Sequence, residues 1–305
     1  MYVGRFENYM NSEILNILKR ETQQRIWFIS DLQQSIPDNA RYCMEAAVKD
    51  FHELGRDCDK IIYLGDAVEG YRLGFLEEML KMQVDQLGRL DTPIRYVIGN
   101  HAFDYYYHNQ KELDRVVLPF YERVKELDNW TTSKNLKEFY SIEDFGDYAI
   151  VYFDDHAALD GSWFTRGGRI HGDEDIYPYD KKTYELIREE IASLKKPVFT
   201  ASHYAFPGGN RESGILEKVM PLPDNVKIHF YGHAHIGDRK WAGKDCFRKI
   251  SWVDDHDIQQ INVASLENMR GSAIRSVFFE TYEDGRYGIL FRNHTLRRWD
   301  EIYLI

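Results

Sequence analysis

The chain has 305 residues, 43% of them hydrophobic and 14% aromatic, a globular composition that excludes intrinsic disorder. Its 39 basic residues stand against 50 acidic ones, a formal charge of −11 with no basic block. That balance disfavours nucleic acid as a stable partner and leaves room for a small phosphorylated substrate beside a bound metal. Cys43, Cys58 and Cys246 are odd in number and widely spaced, which fits a reducing compartment and no disulfide framework. The first twenty residues mix acids with short apolar runs and contain no secretory core. With no apolar stretch long enough to span a bilayer, the expectation is a cytoplasmic protein with no membrane partner.

No repeat, low-complexity tract or linker divides the sequence, which predicts one domain over residues 1–305. Residues 12–24 read as a helix, with Ser12 as N-cap and Ile14, Ile17 and Leu18 on one face, so residues 1–24 are expected to be a helical extension. An alternation follows. Strand-like runs at 25–30, 60–66 and 94–100 are separated by helical patterns at 39–54, with Cys43, Ala47, Phe51 and Leu54 on one face, and at 73–87. Residues 111–127 read as a third helix broken at Pro119. This order predicts βαβ units and a mostly parallel, buried sheet. Residues 138–155 read as a hairpin turning at Gly146-Asp147, and 157–180 as a loop insertion or lid. A helix at 181–196, strands at 197–203 and 226–233, and a β-rich end with a hairpin signal at Asp284-Gly285 complete the pattern.

Five strand ends carry polar residues of one kind. They are Asp31 and Gln33; Asp66; Asn100 and His101; His203; and His233 with His235. In an open α/β sheet the carboxyl ends of strands converge on one rim, so these residues are expected to meet in space. Oxygen and imidazole donors suit Mn²⁺, Fe or Zn²⁺ better than a thiolate-seeking ion. The set is too large for one ion with an open position and suits two, roughly 3.5–4 Å apart, bridged by a carboxylate and a hydroxide.

The ordered set Asp-x-Gln, Gly-Asp, Gly-Asn-His, Ser-His and Gly-His-x-His resembles the calcineurin-like metallophosphoesterases from about residue 25 to the C-terminal hairpin. The resemblance implies an α/β fold of four layers, a β-sandwich flanked by helices, with two divalent metal ions at strand carboxyl ends. Carried over, Asp31, Gln33, Asp66 and His235 would hold one ion. Asp66 as the bridge, with Asn100, His203 and His233, would hold the other. His101 would sit beside the substrate phosphate as electrostatic stabiliser or general acid. Gln33 departs from the histidine usual at its position. Asp-x-Gln together with Gly65-Asp66-Ala67-Val68-Glu69-Gly70 is similar to the manganese-dependent ADP-ribose/CDP-alcohol diphosphatases. A neutral amide oxygen there should favour Mn²⁺-like ions over Zn²⁺, with Fe, Zn²⁺ and Mg²⁺ as alternatives. A second departure is Ala102, where an acidic residue commonly stands; Asp104 is a candidate substitute.

The expected activity is metal-dependent phosphoester hydrolysis, first as a phosphodiesterase or diphosphatase on nucleotide-like small molecules, using a metal-bridging hydroxide. The alternatives are a phosphomonoesterase, protein phosphatases included, and a degenerate scaffold that binds a protein partner, suggested by Gln33 and Ala102. Arg211, shortly after His203, and His156, after a strand, are candidate substrate contacts. Arg166, Gly167, Gly168 and Arg169 read equally as a phosphate-facing loop or an exposed turn, and Tyr105, Tyr106 and Tyr107 as a base-stacking platform or edge packing. His171, His52 and His108 read as solvated loop or helix residues.

Overall fold

The structure is a computed structural model that describes residues 2–5, 16–34, 36–68, 73–103, 123–134, 138–155, 180–209, 214–235, 249–268 and 272–305. Two sheets face each other. The first holds eight strands in the order β1 (Tyr2–Arg5), β14 (Arg298–Leu304), β13 (Tyr287–Asn293), β12 (Arg275–Tyr282), β2 (Thr22–Ile29), β3 (Lys60–Tyr63), β4 (Ile94–Tyr96) and β5 (Trp130–Thr131). The second holds β10 (Ile250–Trp252), β11 (Gln259–Asn262), β9 (Val226–Tyr231), β8 (Val198–Ser202), β7 (Ala149–Phe153) and β6 (Tyr140–Asp144). Helices α1 (Pro37–Glu53) and α2 (Leu73–Leu87) cover the outer face of the first sheet. Helices α3 (Lys181–Ser193) and α4 (Gly214–Lys218) cover the second. The four-layer sandwich expected from the motifs is the fold observed.

Helical periodicity fixed these faces. α1 begins with Pro37 in its first turn, where the missing N–H costs nothing, and buries Ala40, Cys43, Met44, Ala47, Val48 and Phe51. Trp27 of β2 stacks on Phe51 at 4.7 Å and on Phe278 of β12 at 5.8 Å, locking helix to sheet. α3 is capped by Asp180, whose carboxylate accepts from the Thr183 amide at 2.8 Å. Between the sheets, Phe28 stacks on Phe230 at 4.1 Å within an apolar layer that includes Ile26, Ile62, Ile150, Phe199 and Phe279.

Three expectations are corrected. β2 starts at Thr22 and Tyr2–Arg5 is a strand, so the expected helix does not run to residue 24; among the described residues of that segment only 16–18 are helical. Pairing of Thr22 with Tyr282 and Gln24 with Thr281 overrides the local helical pattern. The sheets are not mostly parallel: six strand pairs are parallel and six antiparallel. The C-terminal strands β12, β13 and β14 follow one another by hairpins and so run antiparallel, with β12 lying antiparallel against β2 and the N-terminal β1 antiparallel against β14. Finally, β14 escaped the sequence reading because it carries Asp300 and Glu301. Both are buried, paired with Arg275 at 2.7 Å and Lys249 at 2.8 Å. Ser12, most of the 111–127 segment with Pro119, and the 157–180 insertion lie outside the described residues; residues 123–125 are helical. Among the described residues no helix is long and apolar enough to cross a membrane.

His229 of β9 is fully buried among the strands that carry the candidate site. Its ring receives the Thr200 hydroxyl at 2.9 Å and donates to the Tyr204 carbonyl at 3.1 Å, which keeps it neutral. Burial lowers its pKa from 6.5 to about 3. The unfolded chain therefore takes up a proton that the fold refuses. Stability present above pH 6.5 is lost as pH falls towards 3, at roughly 1.4 kcal/mol per pH unit from this group alone. Thermal melting followed from pH 7 to pH 4 should show this slope, and His229→Gln should flatten it. An unchanged slope in the variant would assign the acid sensitivity elsewhere.

Candidate metal centre

Each strand run ends in a tight turn that aims a polar side chain at the same rim. Asp31 follows β2, Asp66 follows β3, Asn100 and His101 follow β4, His203 follows β8, and His233 and His235 follow β9. Asp31, Asp66, His233 and His235 all have left-handed backbones, with φ of 56°, 50°, 59° and 42°. Such conformations cost on the order of 1 kcal/mol each for non-glycine residues and persist only where surrounding bonds over-determine them. Those bonds are present: the Asp31 amide donates to the Gly65 carbonyl at 3.1 Å, Gln33 to Asp66 at 2.9 Å, Gly232 to His203 at 3.1 Å and Glu267 to Asp31 at 3.1 Å. The turns are stitched to one another, so no ligand position is set by one loop alone.

Two glycines make the close approach possible. A Cβ on Gly99 would lie 2.2 Å from the Asp66 carboxylate. Gly65 has φ of 86°, and its Cβ would meet His203 Nδ1 at 2.6 Å. The Gly-Asp and Gly-Asn-His motifs are therefore steric requirements of two strand ends that touch.

The side chains gather into two adjoining groups. In the first, His235 Nε2 lies 3.4 Å from Asp31 Oδ1 and 3.1 Å from the Gln33 amide nitrogen. In the second, His203 Nε2 lies 3.1 Å from Asp66 Oδ2 and 3.0 Å from Asn100 Oδ1. Donor atoms of Asp66, His203 and His233 all fall within 4.8 Å of one another. The groups are joined at the backbone, where the His233 amide donates to Asp31 Oδ2 at 2.9 Å. The His101 amide donates to Asp66 Oδ1 at 2.8 Å, and its ring, a fifth exposed, reaches to 4.0 Å from Asp66 Oδ2. Every residue in the expected metal set is thus brought to one rim. The set is buried except for His233, which with His101 is partly open.

Electrostatics state what the site wants. Burial would raise the Asp66 carboxyl, yet the His203, His101 and His233 imidazoles overcome it and hold the group well below the usual range. Burial does raise Asp31, against the pull of His235 and His203. Burial disfavours charge on His203, but the Asp66 carboxylate prevails and lifts its pKa to about 9. Two buried carboxylates therefore draw a proton onto an imidazole at neutral pH to supply the missing positive charge.

The donor set fits metal ions on an observation independent of motif. Asp31 Oδ1 and Gln33 Oε1 are buried and accept no hydrogen bond. A buried oxygen without a donor costs roughly 1–3 kcal/mol, and here two of them sit beside the His235 imidazole. Oxygen and nitrogen donors without protons of their own are what a divalent cation requires.

Sequence reasoning missed Glu267. It is fully buried, five residues after β11, and its Oε1 lies 3.0 Å from His235 Nδ1. The contact fixes the tautomer, leaving Nε2 with its lone pair toward Asp31. The only signal was an acid directly after the apolar run ending at Leu266, too weak to stand alone. Arg211, His156, Glu69, Gly70, Asp104, the 105–107 tyrosines, the 166–169 loop, His108 and His171 lie outside the described residues. His52 is exposed near the end of α1, as expected of a helix residue.

Residues 24–237 match the sequence model of the calcineurin-like phosphoesterase family. A search of the curated proteins gives no match. Among solved structures, the chain is similar to a dimetal phosphatase from Danio rerio, at 13% identity and TM-score 0.62, covering 93% of this chain and 99% of that one. It is also similar to GAP50, the anchor in the inner membrane complex of Plasmodium, at 13% identity and TM-score 0.57, covering 93% and 88%. A purple acid phosphatase from yellow lupin seeds matches at 13% identity and TM-score 0.52, covering 94% of this chain and 54% of that one. At these identities the likeness is one of fold.

Glu267→Gln keeps the volume but weakens the hold on the His235 Nδ1 proton. Calorimetric titration of the chelator-stripped variant with Mn²⁺ should show affinity on the order of 10–100-fold weaker than wild type for one of the ions bound. Wild-type affinity would mean that the carboxylate does not orient a ligand.

Proposed function

The chain belongs to the calcineurin-like phosphoesterase family, a metal-dependent phosphoester hydrolase by that membership, and from this premise we propose that it is a manganese-dependent phosphodiesterase or diphosphatase for nucleotide-like small molecules. The observation that carries the reading is Gln33, buried at the heart of the first group with an oxygen that accepts nothing. A neutral amide oxygen is a harder and weaker donor than the imidazole usual at this place, which suits Mn²⁺ better than Zn²⁺. The Asp-x-Gln motif is also what resembles the ADP-ribose/CDP-alcohol diphosphatases.

In this reading Asp31, Gln33, Asp66 and His235 hold one ion, and Asp66, Asn100, His203 and His233 the other. Bound divalent cations supply a low water pKa and positive charge against the phosphoryl oxygens. The protein residues do the rest. Asp66 is held by the His101 amide on Oδ1, and its Oδ2 would be the oxygen available to a bound cation. His203 gives up the proton it carries without metal, so its Nε2 becomes a ligand. His101, fixed through its own backbone and partly open, places its ring at the mouth of the site, where Nε2–H hydrogen-bonds or protonates the departing oxygen.

A second reading, phosphomonoesterase, is favoured by the names of two fold relatives, a dimetal phosphatase and a purple acid phosphatase. A scaffold role has a fold precedent in GAP50, but a complete donor set, buried except for His233, weighs against it.

Chelator-stripped protein should recover hydrolysis of bis-p-nitrophenyl phosphate best with Mn²⁺, less with Zn²⁺ or Mg²⁺, and act faster on that diester than on p-nitrophenyl phosphate. The reverse preference would make it a monoesterase. No recovery with any ion, in folded protein binding fewer than two metals, would sink the enzymatic reading. His101→Ala should keep its metal content while turnover drops on the order of 10²–10⁴-fold. Unchanged turnover would remove His101 from the chemistry.

A further inference from the structure

The layer between the sheets changes character at its β5/β6 margin. Side chains alternate along a strand, so residues two apart share a face. Ile62 and Val97 belong to the apolar inter-sheet layer, which places Lys60 and Arg95 on that same inward face of β3 and β4. Trp130 packs with the outer core, so Thr131 also points inward. Across the gap, Tyr152 of β7 and its register partner Ser141 on β6, with Glu143 two further on, complete a polar wall. Here the space opens at the sheet edge and runs around β6 to the side chains of α3. A cavity of about 770 Å³ remains, lined by these residues, and none of the metal-centre residues lines it.

Its lining carries three cations, Lys60, Arg95 and Lys134, and three carboxylates, Glu138, Glu143 and Glu190. Lys60 is paired with Glu143, whose other oxygen accepts from the Tyr152 hydroxyl at 2.7 Å. Arg95 donates one Nη2 bond to Ser141 Oγ at 2.8 Å and stacks over the Tyr152 ring at 4.8 Å. No carboxylate among the described residues pairs with it, and its Nε is buried with no acceptor. Thr132 Oγ1, also on the cavity, is buried without a partner. The guanidinium is only partly buried, and its planar fork is shaped for carboxylate or phosphate.

We infer that this cavity is a second ligand site, separate from the metal centre, for a small organic molecule bearing one carboxylate or phosphate-type head group. The head pairs with Arg95 and takes hydrogen bonds from the Thr132 and Ser141 side. The body lies against Phe139 and Ile187, which also line the space. The volume suits a ligand of this size.

The test is calorimetric titration of the metal-loaded protein with benzoate and with phenylphosphonate, which share a body and differ in head group. Wild type should bind at least one in a single saturable step, and the tighter probe identifies the head. Arg95→Gln should weaken that binding at least tenfold, and Thr132→Val severalfold, with metal content unchanged in both. Equal affinity in wild type and Arg95→Gln would place the probe on the metals and overturn the proposal, as would no saturable binding of either probe. Should Arg95→Gln fail to fold, Arg95→Lys, which keeps the charge without the fork, decides the matter together with Thr132→Val: wild-type affinity in both overturns it.

Discussion

Two carboxylates, Asp31 and Asp66, are buried side by side at the ends of adjacent parallel strands, and most of the site follows from the need to balance them. Water cannot reach them, and backbone amides satisfy only one oxygen of each, from His233 and His101. The remaining oxygens face imidazoles. Without metal the balance is struck by a proton on His203, held by Asp66 against the penalty of burial. Divalent cations would meet the same need with more charge. The site is thus a stored electrostatic demand, and the glycines, left-handed turns and cross-stitched backbone bonds around it hold that demand in place.

The architecture explains why the residues that meet it are so far apart in sequence. Parallel strands all present their carboxyl ends to one rim, and both sheets contribute: β2, β3 and β4 from one, β8 and β9 from the other. The apolar layer between the sheets, with Phe28 on Phe230, sets the separation at which the two sets of turns meet. A cavity-forming change there, such as Phe to Ala at either ring, would act on the site only through that separation.

How much was readable in advance follows the same physics. Asp31, Asp66, His203 and His233 were legible because each follows an apolar run, the signal of a buried parallel strand, and because glycine stands directly before two of them, Asp66 and His233. α1 and α3 were legible from periodicity. β14 was not, because its buried Asp300 and Glu301 look like surface residues until Arg275 and Lys249 are seen beside them. Thr22–Gln24 was misread because a local helical pattern lost to a distant partner, β12. Glu267 was invisible for the same reason: its role is defined by His235, thirty-two residues earlier in the chain, and by nothing next to it.

Gln33 carries the last step. Replacing an imidazole by an amide changes no charge, so two divalent cations set against Asp31 and Asp66 would leave the centre strongly positive. That positive rim would sit in a chain of formal charge −11. On the proposed reading, that contrast is what would favour a small phosphate compound over a long polyanion. His101 and His233, the partly open members of the set, stand at that boundary. On the proposed reading, substrate choice would depend less on the metals, whose donors other than His233 are buried, than on what the polypeptide places around these two rings.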